Sequence, residues 1–569
     1  MRYELRLMDT LSGVGCFAAH PGPNLSFSEM LEHLRAHPLD EFMHQHLLAK
    51  LGEHRTRKFE KLIDEVQQDG RCTDPVLAAL LVEACLGHER FAHLLPRLTH
   101  LDLREISRHT PAVHIRSLLL ADQALHNDWV MRMQLNIVAH EPLAAPGEIG
   151  LEPPYAKEAL PGPAKLTAED ARKRLADRLP PPKARRPAQE TIDNALDKLT
   201  AKGVFVGQEM RHKASLSPVA LLRSWMVDLS VRSGDMQYSL MGLQTSYGRG
   251  LALEGARASY LMEAAERVSS YASIGRRGVM GLARPCPLTF GSYAEVSASS
   301  HAMDPDSVRL EVPYEGQQLY WMPGTQRHQT SEQGGGERPT LVPVQFVYLF
   351  CNLEEQSLFS ALGSTGLASG NDMDEAKVHA LGEVIERDAE AVTPFDLSRC
   401  FRLTARDEAV ARLLADYEEA GLHVWFMDCT PEFGVPCYKA IVTGRHGDVN
   451  KGMGAGLSGP RAAISAMTEI PYPFPGPATR PAPEGLPVRL LEDLPDFSTG
   501  SAAGDLLVLE ELLIANGTPP TYVDLTRADL GIPAVRAIVP GLEWVSDFDR
   551  FSRLSPRLYA AYLRQFGEL

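Results

Sequence analysis

No stretch of the chain approaches about eighteen uninterrupted apolar residues, so no membrane span is expected. The opening MRYELRLMDTLSGVG scatters charge among its apolar residues and lacks the unbroken core of a signal peptide. Cysteine is sparse. The eight thiols (Cys16, Cys72, Cys85, Cys286, Cys351, Cys400, Cys429 and Cys437) form no Cys-x-x-Cys pair, which argues against a disulfide framework and against zinc. Buried free thiols in a reducing cytoplasm are the expectation. Basic charge is in deficit, with 57 Lys and Arg against 73 Asp and Glu and a formal net charge of -16. A general nucleic-acid binder would need a basic face, so that class is set aside. No Gly-x4-Gly-Lys-Ser/Thr run occurs, which excludes a P-loop of that type.

What remains is an ordinary globular balance, 44% hydrophobic and 23% charged over 569 residues, too long for one core. Residues 1–140 read as a helical N-terminal module behind an alternating strand at residues 2–8. Its helices carry legible starts: Ser26 stands three residues before Glu29, and Asp74 precedes Pro75 in the apolar run DPVLAALLVEAC. Residues 141–195, rich in Pro and Ala, read as a linker holding one short charged helix near Thr167–Arg178. From 196 to 569, short apolar strands (VQFVYLF, HVWFMD, YKAIVT, TYVDL) alternate with amphipathic helices. The fold class is therefore α+β, a mixed α/β domain behind the helical module. GlyGlyGly at 334–336 is expected in a surface loop between strands.

One segment of this domain is duplicated. GLALEGARASYLMEAAER (250–267) aligns without gaps on GNDMDEAKVHALGEVIER (370–387), at the constant offset 383 − 263 = 120. Gly250/Gly370, Ala256/Ala376, Glu263/Glu383, Glu266/Glu386 and Arg267/Arg387 are identical pairs. A degraded third copy begins at Gly456: Ala462, Ser465 and Glu469 match Ala256, Ser259 and Glu263, while Tyr472 and Pro473 replace the Glu–Arg pair.

On a helix, residues three and four apart share a face, so Ser259, Glu263 and Glu266 form one stripe and Glu375, His379, Glu383 and Glu386 another. A single Glu-x-x-Glu-Arg is usually a solvated face with a local ion pair. Two copies related by a pseudo-twofold could converge, and four converging carboxylates need cations between them. Mg²⁺ suits such hard oxygen ligands and completes its shell with water and phosphate oxygens. Arg267 and Arg387 could neutralise carboxylates or grip phosphate. His379 could contact a nucleotide, a metal-bound water, or a core hydrogen-bond acceptor. The Gly- and Ser-rich GSTGLASGND (363–372) runs into the second helix, where backbone N–H groups can face an anion.

These stretches, with DLTRADLGIPAVRAIVPGLE at 524–543 following in order, resemble the YcaO family. The resemblance spans roughly residues 205–550. It implies a YcaO-type ATP-binding domain with ATP and Mg²⁺ as cofactors. It also implies an activity: O-phosphorylation of a peptide or protein backbone amide, which lets a nucleophile enter and gives a thioamide, an azoline or a related group. By motif, Ser259, Glu263 and Glu266 match the first family element, and Asn371, Glu375, Glu383, Glu386 and Arg387 the second. His379 stands where many relatives have Gln. Arg536 matches a family arginine near the nucleotide, Lys213 in RHKASLSP the opening basic residue, and Gln345 is a weaker candidate. Glu263, Glu266, Glu383 and Glu386 are the expected metal ligands, and Glu263, Glu383 and Arg387 the expected catalytic residues. Lys213, Ser259, Glu266, Asn371, Glu375, His379, Glu386 and Arg536 are expected at the nucleotide. The end AAYLRQFGEL lacks the Pro-rich tail of azoline-forming members. That departure weighs against azoline formation and leaves open thioamidation with a TfuA-type partner, or an ATP-binding accessory role beside a ribosomal-protein methylthiotransferase. Neither nucleic acid nor membrane is expected as a partner, the location is expected to be cytoplasmic, and a homodimer stays open.

Overall fold

The computed structural model describes residues 1–8, 16–22, 24–68, 71–234, 236–328, 336–474, 476–544 and 548–569. The chain opens with β1 (Arg2–Met8) and β2 (Cys16–Pro21). In β1, Tyr3 and Leu5 point into the core while Arg2, Glu4 and Arg6 face out, the period-two pattern of a half-buried strand. Helices α1 (Phe27–Ala36), α2 (Glu41–Gly52) and α3 (Pro75–Gly87) follow. Ser26 and Glu29 close a reciprocal capping box on α1. Asp74 caps α3, whose residues Val76 to Leu86 are all buried. Burial on every side obliges the one carboxylate of α3 to find partners: Glu83 takes His44 at 2.8 Å and Thr110 at 2.6 Å. Farther on, α4 (Ala168–Arg174), capped by Thr167, and α5 (Ala188–Lys202) lie against the body. Ala168 N–H donates to the Phe433 carbonyl, and Lys165 N–H to the Asn516 side chain. The 195/196 boundary falls inside α5.

The body runs β3 (Val219–Ser233), β4 (Met236–Gly250), α6 (Leu253–Ser270), β5 (Leu319–His328), β6 (Gly336–Pro343), β7 (Leu367–Ser369), α7 (Met373–Val392), β8 (Cys400–Thr404), β9 (Trp425–Asp428), β10 (Cys437–Thr443), β11 (Val449–Ala455), α8 (Gly459–Glu469), β12 (Thr521–Asp524) and β13 (Ala534–Ile538). Strands and helices alternate as expected. In VQFVYLF, however, Val344–Phe346 form a 3₁₀ turn instead of a strand. Pro343 ends β6 just before it, and an apolar run buried all round carries no periodicity to tell strand from turn. The glycine run at 334–336 falls largely outside the described residues, with only Gly336, the first residue of β6, described.

Three sheets organise the body. The first runs β2-β1-β4-β3, with β1 parallel to β4, so the first residues of the chain complete a sheet of the body. Backbones approach closely there: a Cβ on Gly242 would sit 2.3 Å from the Leu5 carbonyl oxygen. Asp40 adds a buried tie between the N-terminal segment and the body, bonding Tyr3, His33 and Asn352. The second sheet contains β5-β12-β13-β7, and the third β11-β10-β9-β8. Helices α6 and α7 both pack on β7 and β13, which brings the two copied helices together over one pair of strands. No helix is long and apolar enough to cross a membrane among the described residues.

Candidate active site

The copied segments fold alike, and their glycines show why. A Cβ on Gly250 would meet Ala256 N at 3.0 Å, and one on Gly370 would meet Ala376 N at 2.4 Å. Each helix start is pressed onto its incoming strand, leaving no room for a side chain. The third copy carries the same imprint. A Cβ on Gly248 would lie 2.0 Å from the Ala256 carbonyl oxygen, and one on Gly454 would lie 2.1 Å from the Ala462 carbonyl oxygen. The repeat is thus threefold in structure: β4–α6, β7–α7 and β11–α8.

This packing fixes the acidic side chains. Glu263 accepts the Tyr247 N–H at 3.0 Å, and Glu383 accepts the Gly366 N–H at 3.1 Å, each from the segment leading into its own helix. Glu266 and Glu383, one from each helix, lie within electrostatic reach of each other. Burial, with Glu383 and Glu263 as like-charged neighbours, pushes Glu266 up to about 8 despite Arg267. Burial, then Glu469, pushes Glu386 up to about 8 despite Arg387. Burial also raises Glu263 and Glu383. Yet Glu263, Glu266 and Glu386 keep 27%, 15% and 13% of their side-chain surface open. These carboxylates are densely surrounded by protein and still touch water.

Cations interleave with the carboxylates. Arg267 lies 3.1 Å from Glu266, and Arg387 lies 3.2 Å from Glu386 while also bonding Glu390. Arg536 reaches in from β13. It is fully buried, stacks 4.7 Å over Trp544, and donates from both terminal nitrogens to the Gly363 carbonyl. Its Nε has no partner, and burial lowers its pKa to about 9, so the guanidinium stays charged at neutral pH. A buried cation with a spare donor beside carboxylates is a place for an anion.

The remaining candidates sort by distance from this centre. Asn371 donates its N–H to Glu375, and its side-chain oxygen accepts from Thr191 of α5. His379 bonds the Ser369 carbonyl at 3.3 Å on the exposed side of α7, where crowding lowers its pKa. Ser259 is exposed on α6, one turn before Glu263. Lys213 is exposed beside His212, which packs on Tyr247. Gln345 lies elsewhere, bonded to Glu355 at 2.7 Å.

Four further residues belong to the cluster. Glu469 bears on Glu263, Glu386 and Arg387, and Arg249 holds it at 3.0 Å. Glu390 bridges Arg387 and Lys451, the latter at 2.6 Å. The signal for Glu469 lay in the third copy, where it stands 206 residues after Glu263, as Gly454 does after Gly248. Glu390 lies one helical turn beyond Glu386. Nothing in the sequence marks Arg249 or Lys451.

Among the described residues no three His, Cys, Asp or Glu side chains stand close enough to hold an ion by themselves. Mg²⁺ does not require that, because it binds through one or two carboxylates and draws the rest of its shell from water and phosphate oxygens. Hard carboxylate oxygens from two helices, together with the spare donor of Arg536, fit a magnesium-bound polyphosphate.

Comparison with known proteins places the chain in a family that binds ATP and Mg²⁺. Residues 247–471 and 475–543 match the family described as YcaO cyclodehydratase, ATP- and Mg²⁺-binding. An uncharacterised protein of Methanothermobacter thermautotrophicus is 31% identical over 348 residues, covering 54% of this chain and 84% of that protein. An uncharacterised protein from the tfuA 3′ region of Rhizobium leguminosarum bv. trifolii is 29% identical over 246 residues, covering 40% of this chain and 54% of that protein. Among solved structures, a heterocyclase in complex with substrate and cofactor superposes with a TM-score of 0.50 at 18% identity. That match covers 70% of this chain and 58% of the heterocyclase, and it speaks to the fold alone.

Proposed function

Because this chain belongs to the YcaO family of ATP- and Mg²⁺-binding, ATP-dependent enzymes, we propose that it activates a backbone amide of a peptide or protein by phosphorylating the amide oxygen. The observation that carries the reading is the meeting of Glu266 and Glu383 from two copied helices beside the spare donor of Arg536. In this reading Glu263, Glu266, Glu383 and Glu386 hold Mg²⁺ jointly with phosphate oxygens. Arg536 grips the phosphate chain. Arg387, fixed between Glu386 and Glu390, screens charge that develops during transfer. Asn371, Glu375 and His379 line one side of the nucleotide, Ser259 and Lys213 the other.

The chemistry suits these parts. An amide carbon is a poor electrophile and its oxygen a poor leaving group. Addition of a nucleophile leaves an oxyanion, and transfer of the terminal phosphoryl group of ATP onto that oxygen lets it depart as phosphate. Positioning and charge screening are then the main tasks of the protein. With hydrosulfide as nucleophile, an amide, hydrosulfide and ATP give a thioamide, ADP and phosphate. The Rhizobium relative, named for its place in the tfuA 3′ region, supports this branch with a TfuA-type protein as partner.

The test uses a candidate peptide whose amide carries oxygen-18. Transfer of the label into released phosphate is the expected result. Unlabelled phosphate, its fourth oxygen taken from water during productive turnover, refutes O-phosphorylation.

A further inference from the structure

A cavity of about 320 Å³ lies where β2 and α2 meet the segment 345–362 of the body, which ends one residue before Gly363, the partner of Arg536. Its walls include five aromatic rings, those of Phe17, Phe42, Tyr348, Phe350 and Phe359. Two carboxylates line it as well, Glu41 from α2 and Glu355 from the body, and no Lys, Arg or His does. Glu355 is 7% exposed. It accepts Gln345 Nε2 at 2.7 Å and the Tyr320 N–H, both neutral donors. Glu41 makes no hydrogen bond or ion pair with the described residues.

The two carboxylates act on one spot. The Cys351 thiol, which also lines the cavity, is pushed up by burial and then by both Glu355 and Glu41. Tyr348 belongs to the same wall: it is 2% exposed, its hydroxyl has no hydrogen-bond partner among the described residues, and it lies within electrostatic reach of Cys351. Burial holds Glu41 up at about 7 and Glu355 at about 8.

Buried carboxylates are costly unless a cation accompanies them. Elsewhere this chain supplies its own: Arg557 for Asp388, Arg267 for Glu266, Arg249 for Glu469. Among the described residues no Lys, Arg or His lines this cavity, His44 bears on Glu41 only electrostatically, and aromatic rings, whose faces attract cations, form part of the wall. The volume lies in the range of small-molecule sites. We propose that this cavity is a binding site for a small organic ammonium compound, its charged nitrogen set between Glu41 and Glu355 and its apolar body against the phenylalanine rings. None of Glu263, Glu266, Glu383, Glu386 and Arg536 lines this cavity, so amine binding is tested separately from the reaction proposed above.

The experiment is calorimetric titration of the full-length protein, without nucleotide, using 2-phenylethylamine, tyramine, tryptamine and butylamine. 2-Phenylethanol serves as the uncharged match and phenylacetate as the anionic one. At least one amine should bind saturably, and about tenfold or more tighter than its uncharged match. Glu41→Gln, which removes no hydrogen bond, should weaken that amine about tenfold while leaving the thermal unfolding midpoint near wild type. Equal binding of 2-phenylethylamine and 2-phenylethanol overturns the proposal. So does failure of every amine to saturate, or full affinity in a folded Glu41→Gln, Glu355→Gln double variant. The comparison of amine with alcohol needs no variant, so it decides the matter even where a substitution fails to fold.

Discussion

Glu266→Gln should make the nucleotide-free protein more stable at high pH while disabling it. Glu266 sits near 8 in the folded chain against 4.5 for a free glutamate, chiefly through burial, then through Glu383 and Glu263. A carboxyl whose pKa is higher folded than unfolded keeps its proton longer in the native state. The folded protein therefore binds more protons between 4.5 and about 8, and stability falls as pH rises through that window. At about 1.4 kcal/mol per unit the full shift has a ceiling near 5 kcal/mol. Glu266 and Glu383 share the same repulsion, so on the order of 2 kcal/mol belongs to Glu266 alone. Glutamine keeps the shape and removes the charge. For a chain of this size, that predicts a melting midpoint about 2 °C above wild type at pH 9 and no difference at pH 5. The assay is a thermal melt of both proteins at the two pH values, with and without Mg²⁺ and a non-hydrolysable ATP analogue. Wild type should gain stability from the pair of ligands, and the variant should gain much less. A variant destabilised equally at both pH values would refute the repulsion argument. Equal stabilisation of both proteins by the ligands would remove Glu266 from the ion site.

Four other outcomes are expected. Arg536→Lys should lower ATP turnover by about 100-fold or more in a phosphate-release assay, because an ammonium cannot stack on Trp544, bond Gly363 and keep a donor spare at once. Gly454→Ala should cost about 1–3 kcal/mol in urea unfolding, since its Cβ would lie 2.1 Å from the Ala462 carbonyl. Gly255→Ala, in α6 with open space around it, should be neutral or slightly stabilising in the same titration. Glu469→Gln should reduce ATP turnover about tenfold or more with little change in melting temperature, because it removes like-charge repulsion on Glu386 along with the Arg249 pair.

Much of this site could be read from the residues because helical periodicity and duplication are local signals. The 120-residue offset paired Glu263 with Glu383 and Glu266 with Glu386, and the folded chain brings Glu266 and Glu383 into electrostatic contact. Helix starts were equally legible, since the partners in a cap lie three residues apart, as Ser26 and Glu29 do. Long-range geometry was not. Arg249 meets Glu469 across 220 residues, and β1 pairs with β4 across more than 230, separations at which a single sequence carries no pairing signal. The apolar run at 344–350 failed for another reason: full burial erases the alternation that identifies a strand. Gln345 bonds Glu355 and lines the cavity formed by β2, α2 and the segment 345–362.

The central claim is that α6 and α7 grip a nucleotide through divalent ions, and calorimetric titration with a non-hydrolysable ATP analogue tests it most directly. Saturable binding in the presence of Mg²⁺, lost when the metal is chelated and lost again in Glu383→Gln, is the predicted result. Binding of equal strength without metal, or undiminished binding by a folded Glu383→Gln, would contradict it.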